Sequence, residues 1–97
     1  MNIQIQTVKF DADKKLIDFI EKKLGRLDRF AEKSLGADVI LKLDKDNEKG
    51  NKVAIIRLEI PGNDLIAESR SRNFEDAVDN AIDALKRQLE KHKDKFQ

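Results

Sequence analysis

The feature that most constrains the fold of this chain is the spacing of its hydrophobic residues, which changes several times along the sequence. Strict alternation of apolar and polar residues is typical of a half-buried strand, whereas recurrence every three or four residues is typical of an amphipathic helix. Both patterns occur, each confined to separate segments. The predicted elements are a strand at 2–8, a helix at 13–33, strands at 37–44, 52–60 and 65–72, and a helix at 74–95 capped by Asn73.

The connections between these elements predict how the strands pair. The segment Pro61-Gly62-Asn63-Asp64 has the composition of a type II turn with proline and glycine at its centre, and the polar segment 44–51 is a second short connection. Strands two to four should therefore form an antiparallel meander, and strand one should join the sheet through a crossover helix. Two helices with one apolar stripe each can cover one face of a four-stranded sheet. The predicted fold class is α+β, with a solvated second sheet face that carries Lys42, Arg57, Glu59, Glu68 and Arg70.

The composition narrows the class of protein. A chain of 97 residues is the length of a single domain, and residues 1–97 are predicted to form one. There are no cysteines, which excludes disulfides, thiolate metal sites and a cysteine nucleophile. The first residues are polar and no apolar run approaches the roughly 20 residues that span a bilayer. The expected location is the cytoplasm.

Charge is abundant but almost balanced, since 40% of the residues are charged while the net charge is only +1. Any nucleic-acid partner must therefore be recognised by the distribution of charge. On a helical wheel of the first helix, five of its bases fall within roughly 60 degrees of one another, with acids in the adjacent sector. These bases are Lys15, Lys22, Arg26, Arg29 and Lys33.

The last helix separates its charges along the axis, with acids in its first half and bases in its second. Arg87, Lys91 and Lys95 recur at four-residue steps on one flank. If the basic rows of both helices face the same side, they form one basic groove. Two structural explanations stay open: acids at a helix start and bases at its end suit the helix dipole, and ordinary solvated helix faces also carry pairs of opposite charge.

Rows of Lys and Arg match a phosphate backbone. Most of the five Phe lie in the apolar stripes, which argues against a reader of single strands that stacks bases on aromatic rings. The pattern favours folded RNA recognised by shape and backbone. No enzyme is predicted, because His92 and the serines lack partners for nucleophilic catalysis, and no cofactor or metal motif is present.

Three segments carry a resemblance to a known family, and the resemblance as a whole covers nearly the whole chain. The most specific runs from Ala81 to Lys95 and contains Arg87-Gln-Leu89 followed by Lys91-His-Lys93. The others are Lys23-Leu-Gly-Arg26-Leu-Asp-Arg-Phe30 and Val39-Ile-Leu-Lys42-Leu-Asp-Lys45. The chain resembles the bacterial ribosome hibernation-promoting factor and ribosome-associated inhibitor family, once called sigma-54 modulation proteins.

The resemblance implies a fold similar to a double-stranded-RNA-binding domain and binding to the small ribosomal subunit and its rRNA near the decoding centre. Occupying the channel for mRNA and tRNA would block initiation and preserve idle ribosomes in starvation and stationary phase. The family's basic residues fall, by position, on Lys23, Arg26, Lys42, Lys45, Arg87, Lys91 and Lys93. The helical wheels support Arg26, Arg87 and Lys91, place Lys23 toward the apolar side, and add Lys22, Arg29 and Lys95.

The chain departs from the family pattern at the start of the last helix, where Asn73-Phe74-Glu75 replaces Asp-Met-Tyr. It also ends at Gln97, so the expectation is a short form without the C-terminal dimerisation domain of long members, monomeric when free. Two alternatives stay open. One is a free double-stranded-RNA-binding module, and the other is a structural homodimer paired through the sheet face that carries Ile40 and Ile55.

Overall fold

The computed structural model describes residues 2–31, 36–45 and 48–95, with side chains given except at 30, 31 and 92–95. The elements follow the predicted order β-α-β-β-β-α. They are β1 (Asn2–Val8), α1 (Lys14–Ala31), β2 (Gly36–Leu43), β3 (Lys52–Ile60), β4 (Asn63–Ser71) and α2 (Phe74–Lys95). The predicted end of the first helix at 33 lies outside the described residues.

The four strands form one sheet in the order β1-β2-β3-β4. β1 pairs with β2 in parallel, through the α1 crossover, and the two later pairings are antiparallel, which confirms the predicted meander. β4 begins two residues earlier than predicted because the turn is confined to Pro61 and Gly62, and Ile60 already pairs with Asn63. Gly62 has a φ of +81°, the value that the third position of a type II turn requires.

Gly36 is the first residue of β2, one residue before the predicted start of that strand. It pairs with Asn2, and a Cβ added at Gly36 would lie only 2.9 Å from the backbone oxygen of Asn2. A side chain at this position would therefore push β1 and β2 apart. The absence of a side chain at Gly36 allows β1 and β2 to approach each other closely.

Both helices cover one face of the sheet, and the core lies between them and alternate strand residues. The predicted inward rows are confirmed: Val39 and Leu41 of β2, and Ile56 and Leu58 of β3, have no solvent exposure. The helices contribute the fully buried Ile20, Leu24, Leu27, Val78, Ala81 and Leu85. Their caps also match the sequence, since Asp13 accepts a hydrogen bond from the Leu16 amide at 2.9 Å and Asn73 accepts one from the Asp76 amide at 2.8 Å.

Candidate nucleic-acid interface

The topology makes the two helices run in the same direction. β1, β2 and β4 are mutually parallel, and each helix returns along the sheet in the opposite direction after β1 or β4. Lys23 of α1 and Asp79 of α2 form an ion pair with Nζ and Oδ1 3.4 Å apart, which aligns the helices side by side. Both C-terminal halves therefore lie at one end of the domain.

This alignment brings the bases of the two helices together at that end. All the charged residues in the first half of α2 are acidic, and the basic residues of α2 begin at Lys86. The acids are Glu75, Asp76, Asp79 and Asp83. Parallel helices place their C-terminal partial negative charges together, so cations there are favourable. We call the exposed cations of this region the helix-end surface, which comprises Lys22, Arg26, Arg29, Lys86, Arg87 and Lys91.

The rotation of α2 about its axis decides which of its bases face α1. Asp79 marks the α1 side through its ion pair, and Gln88 marks the β4 side because its side-chain amide donates to the Ile66 carbonyl at 2.9 Å. At 100 degrees per residue, Arg87 lies between these directions and points outward, while Lys91 lies on the β4 side. The condition for a single groove, two basic rows facing the same side, is not met.

The helix-end surface instead lies across the outer sides of both helices. Lys86, which the sequence reasoning missed, lies about two turns after Asp79 on the α1-facing side of α2. Arg26 lies on the α2-facing side of α1, adjacent along the wheel to Lys23. Lys86 lies seven residues after Asp79, so both residues lie on the same side of α2. This spacing indicates that Lys86 faces α1 only when Lys23 is known to be the partner of Asp79.

The cations of the helix-end surface are exposed. Within the described part of the chain, none of the six forms an ion pair with a carboxylate. Cations without an internal partner keep their full charge available to a ligand. This separates them from the arginines on the other side of the sheet.

Lys23 differs from its neighbours because it is partly enclosed between the helices. Its Nζ lies 5.5 Å from the centroid of the Phe19 ring and pairs with Asp79. Its side chain is 32% exposed, in agreement with a wheel position near the apolar side. Its charge is therefore partly compensated within the protein.

Lys42 and Lys45 do not join the helix-end surface. Lys42 lies on the helix-free face of β2, and Lys45 follows the end of that strand. β2 runs from the helix C-terminal end toward the opposite end of the sheet, so both lysines lie far along it. With Lys49 and Arg70 they form a second cationic region, which we call the hairpin surface.

Two other predicted residues, Lys93 and Lys95, lie in the last turn of α2, where the side chains are outside the described residues. The same holds for His92. Their backbone positions continue α2 beyond Lys91 at the end that carries the helix-end surface.

The helix-free face has a different character, with an apolar centre and paired charges. Arg57 donates hydrogen bonds to Asp38 and to Glu59, the latter at 3.2 Å, and lies 3.5 Å from Asp64. The hydrogen bond to Asp38 is the main reason that the pKa of Arg57 is raised. The predicted solvated face is thus held by ion pairs around Arg57.

The apolar centre of this face consists of Ile40, Ile55 and Ile66, which line a shallow hollow beside Gln4 and Gln6. Ile66 is 57% exposed, whereas Ile40 and Ile55 are half-buried. Three isoleucines bordered by glutamines and ion pairs form a small patch of the kind that ordinary protein surfaces carry. In the described ranges, neither helix is both long and apolar enough to cross a membrane.

Comparison with known proteins gives consistent similarities. The family model described as sigma 54 modulation protein / S30EA ribosomal protein matches residues 3–97. A ribosome hibernation promotion factor of Bacillus subtilis is 36% identical over 97 residues, which cover 98% of this chain and 50% of that protein. A ribosome hibernation promoting factor of Pseudomonas putida is 31% identical over 97 residues, which cover 100% of this chain and 91% of that protein.

A solved structure, that of a ribosomal subunit interface protein from Coxiella burnetii, matches the fold with a TM-score of 0.86 and 27% identity. The match covers 96% of this chain and 98% of that one. The chain therefore spans about half the length of the Bacillus relative and most of the Pseudomonas and Coxiella proteins.

Proposed function

The chain belongs to the family of sigma 54 modulation proteins and S30EA ribosomal proteins, and from this premise we propose that it is a ribosome hibernation factor. It binds the small ribosomal subunit near the decoding centre through rRNA phosphates and inhibits translation by occluding the channel for mRNA and tRNA. Its place of action is the cytoplasm. The relatives' names support a role in ribosome hibernation. The exposed cations of the helix-end surface support the choice of contact residues.

One observation carries the proposal: six exposed cations, with no ion-pair partner among the described residues, lie from the middle of α1 to the C-terminal halves of two parallel helices, on a chain whose net charge is only +1. Each cation that neutralises a phosphate releases counterions, so the gain in affinity grows with the number of contacts. The acidic first half of α2 repels the same phosphates. This polarity orients the domain on RNA with the helix C-terminal ends inward.

The aromatic residues support phosphate contact over base stacking. Phe10 and Phe74 stack on one another with ring centroids 4.5 Å apart, and Phe19 packs against the core beneath Lys23. Rings used in this way offer no platform to an unpaired base. Inhibition then needs only a rigid body in the channel, and the domain measures 42 × 27 × 18 Å, so no chemical step is proposed.

We propose that the free protein is a monomer, because the isoleucine patch on the helix-free face is small and bordered by the Arg57 ion pairs. Sedimentation velocity at rising protein concentration should give one species with the mass of a single chain. A mass that doubles within the micromolar range would instead favour the homodimer paired through this face.

The experiment that tests the function compares two RNA partners under the same buffer. Purified small subunits are titrated in a co-sedimentation assay, and a short RNA duplex is titrated in a gel shift. We expect binding to the subunit at concentrations at least about tenfold lower than to the duplex, because only the subunit presents phosphates to the whole helix-end surface. Equal affinities would favour the free double-stranded-RNA-binding module.

The Asp79→Asn variant tests the partial compensation of Lys23. Removal of the carboxylate frees the ammonium group and deletes one acid beside the helix-end surface, so affinity for the small subunit should rise about two- to threefold. Stability should change by less than about 1 kcal/mol, since the pair is solvent-accessible. Titration of small subunits with both proteins, beside a thermal melt, measures the two effects. Weaker binding by a folded variant would contradict the assigned role of this pair.

A further inference from the structure

The hairpin surface contains an arginine whose hydrogen bonds tie three parts of the chain together. Arg70 of β4 donates from Nη2 to Oδ2 of Asp44 at 2.5 Å. Its Nη1 contacts two backbone oxygens across the β2–β3 loop, that of Gly50 at 3.1 Å and that of Lys45 at 3.3 Å. One guanidinium thus bridges both ends of the loop to a neighbouring strand.

Asp44 is the centre of the same arrangement. Its Oδ1 accepts a hydrogen bond from the Lys45 amide at 2.8 Å, and its own amide donates to the Asn51 carbonyl at 2.9 Å. The hydrogen bond from Arg70 is the main reason that the pKa of Asp44 lies below its ordinary value. The carboxylate is therefore ionised at neutral pH and holds both Arg70 and the first residue of the loop.

The other end of the loop lies close against β4. Gly50 has a φ of +101°, and a Cβ added there would lie 2.3 Å from the backbone oxygen of Ser71. Only glycine fits this approach without a backbone shift. Gly50, at this end of the loop, is therefore fixed to the end of β4 by contact as well as by a hydrogen bond from Arg70.

We propose that Arg70 is a positioning residue for RNA binding: with Asp44 it forms a clamp that holds Lys45 and Gly50, at the two ends of the β2–β3 loop, so that Lys45 presents its charge to an RNA phosphate backbone beside Lys42 of β2. This inference rests on the proposed function, and it adds a second contact region on the helix-free face. Loop ends that are already held in place lose less conformational entropy on binding, so the protein binds more tightly.

Direct phosphate contact by Arg70 is the competing explanation, and the geometry disfavours it. Arg70 already directs donors to three internal acceptors, and its side chain is only 26% exposed. A guanidinium has five N–H donors in a fixed fork, and those used in the clamp cannot face a ligand at the same time. Among the described residues, neither Lys42 nor Lys45 forms a side-chain hydrogen bond or an ion pair, although the charge of Lys42 contributes to the lowered pKa of Asp44.

The two explanations predict opposite signs for one substitution, Asp44→Ala. Removal of a carboxylate makes the protein more positive, so electrostatics alone predicts tighter binding to RNA. Loss of the clamp predicts weaker binding, because the loop is released. Glu68→Ala is the matched control: Glu68 is exposed, lies on the same face two residues from Arg70, and takes no part in the clamp.

The experiment measures affinity for purified small subunits, with wild type in the same series, and amide hydrogen exchange of the free proteins across residues 44–51. We expect Asp44→Ala to bind about three- to tenfold more weakly and to exchange faster in the loop. Glu68→Ala should bind as tightly as wild type or up to about twofold more tightly, with unchanged loop exchange. Arg70→Lys keeps the charge but cannot span the three acceptors, so it should behave like Asp44→Ala.

Each outcome decides the proposal. If Asp44→Ala binds as tightly as Glu68→Ala, or if Arg70→Lys matches wild type in affinity and loop exchange, the clamp has no role in binding while the proposed function stands. Weaker binding with unchanged loop exchange also overturns it, since the loss then has another origin. If wild type itself does not bind small subunits, the proposed function fails and this inference fails with it.

Discussion

Replacement of Arg26, Arg87 and Lys91 by glutamate should abolish co-sedimentation with ribosomes while leaving the fold intact. The three side chains are exposed and form no ion pair in the described part of the chain, so the substitutions break no ion pair there. The change removes three phosphate contacts and adds three repulsive charges. Because each contact also contributes through counterion release, we expect a loss of affinity of at least about a hundredfold at moderate salt.

The matched control makes the same change in net charge at the other end of the domain. Lys9, Lys14 and Lys15 are exposed near the N-terminal ends of the helices or the end of β1. The variant that carries glutamate at all three should retain co-sedimentation within about threefold, since only long-range charge is altered. Equal loss in both triple variants would mean that net charge, and not the helix-end surface, determines binding. Circular dichroism checks that both remain folded.

Replacement of Ile56 by alanine should lower the free energy of unfolding by a large amount. Ile56 of β3 has no solvent exposure and belongs to the core on the helix-covered face of the sheet. Truncation leaves a cavity in addition to the lost burial, and such changes cost about 2–5 kcal/mol. Urea denaturation followed by circular dichroism measures the free energy of unfolding.

Ile66→Ala is the control for that measurement, because it makes the same chemical change in the next strand. Ile66 is 57% exposed on the helix-free face, so its truncation should cost less than about 1 kcal/mol. Similar losses for both variants would contradict the assignment of the core to the helix-covered face. Neither substitution touches the helix-end surface, so the ribosome affinity of folded protein should not change.

The sequence predicts the fold well because the elements carry their own signals. Alternation in β3 places Ile56 and Leu58 on one face whatever the neighbouring strands do, and Asn73 caps α2 through a hydrogen bond only three residues away. The Pro61-Gly62 turn likewise depends on local backbone preference. These interactions act over short distances along the chain, where a sequence pattern is sufficient.

The arrangement of the site depends on contacts that no local pattern encodes. Two contacts determine which flank of α2 faces α1. They are the Lys23–Asp79 ion pair and the hydrogen bond from the Gln88 side chain to the Ile66 carbonyl, and both join residues of different elements. A helical wheel gives the directions of the bases within one helix, but it does not give the rotation of one helix relative to the other. The sequence therefore identifies Arg26, Arg87 and Lys91 as candidate contact residues. It also predicts a single groove, whereas the structure places these cations across the outer sides of both helices.

The clamp of the hairpin surface shows the same limit more strongly. Arg70 and Asp44 are 26 positions apart and meet only because β3 lies between their strands. From the sequence, Arg70 was expected only to be one of several charges on a solvated face. Its role in holding the loop became visible when its three acceptors were located.

The most direct test of the central claim, that cations of the helix-end surface bind rRNA phosphates, is the salt dependence of binding to purified small subunits. With six to eight contacts, the logarithm of the association constant should fall linearly with the logarithm of salt concentration, with a slope of about −5 to −7. Arg26→Gln should make that slope shallower by about one. A wild-type slope near zero, or a slope unchanged in Arg26→Gln, would contradict the claim.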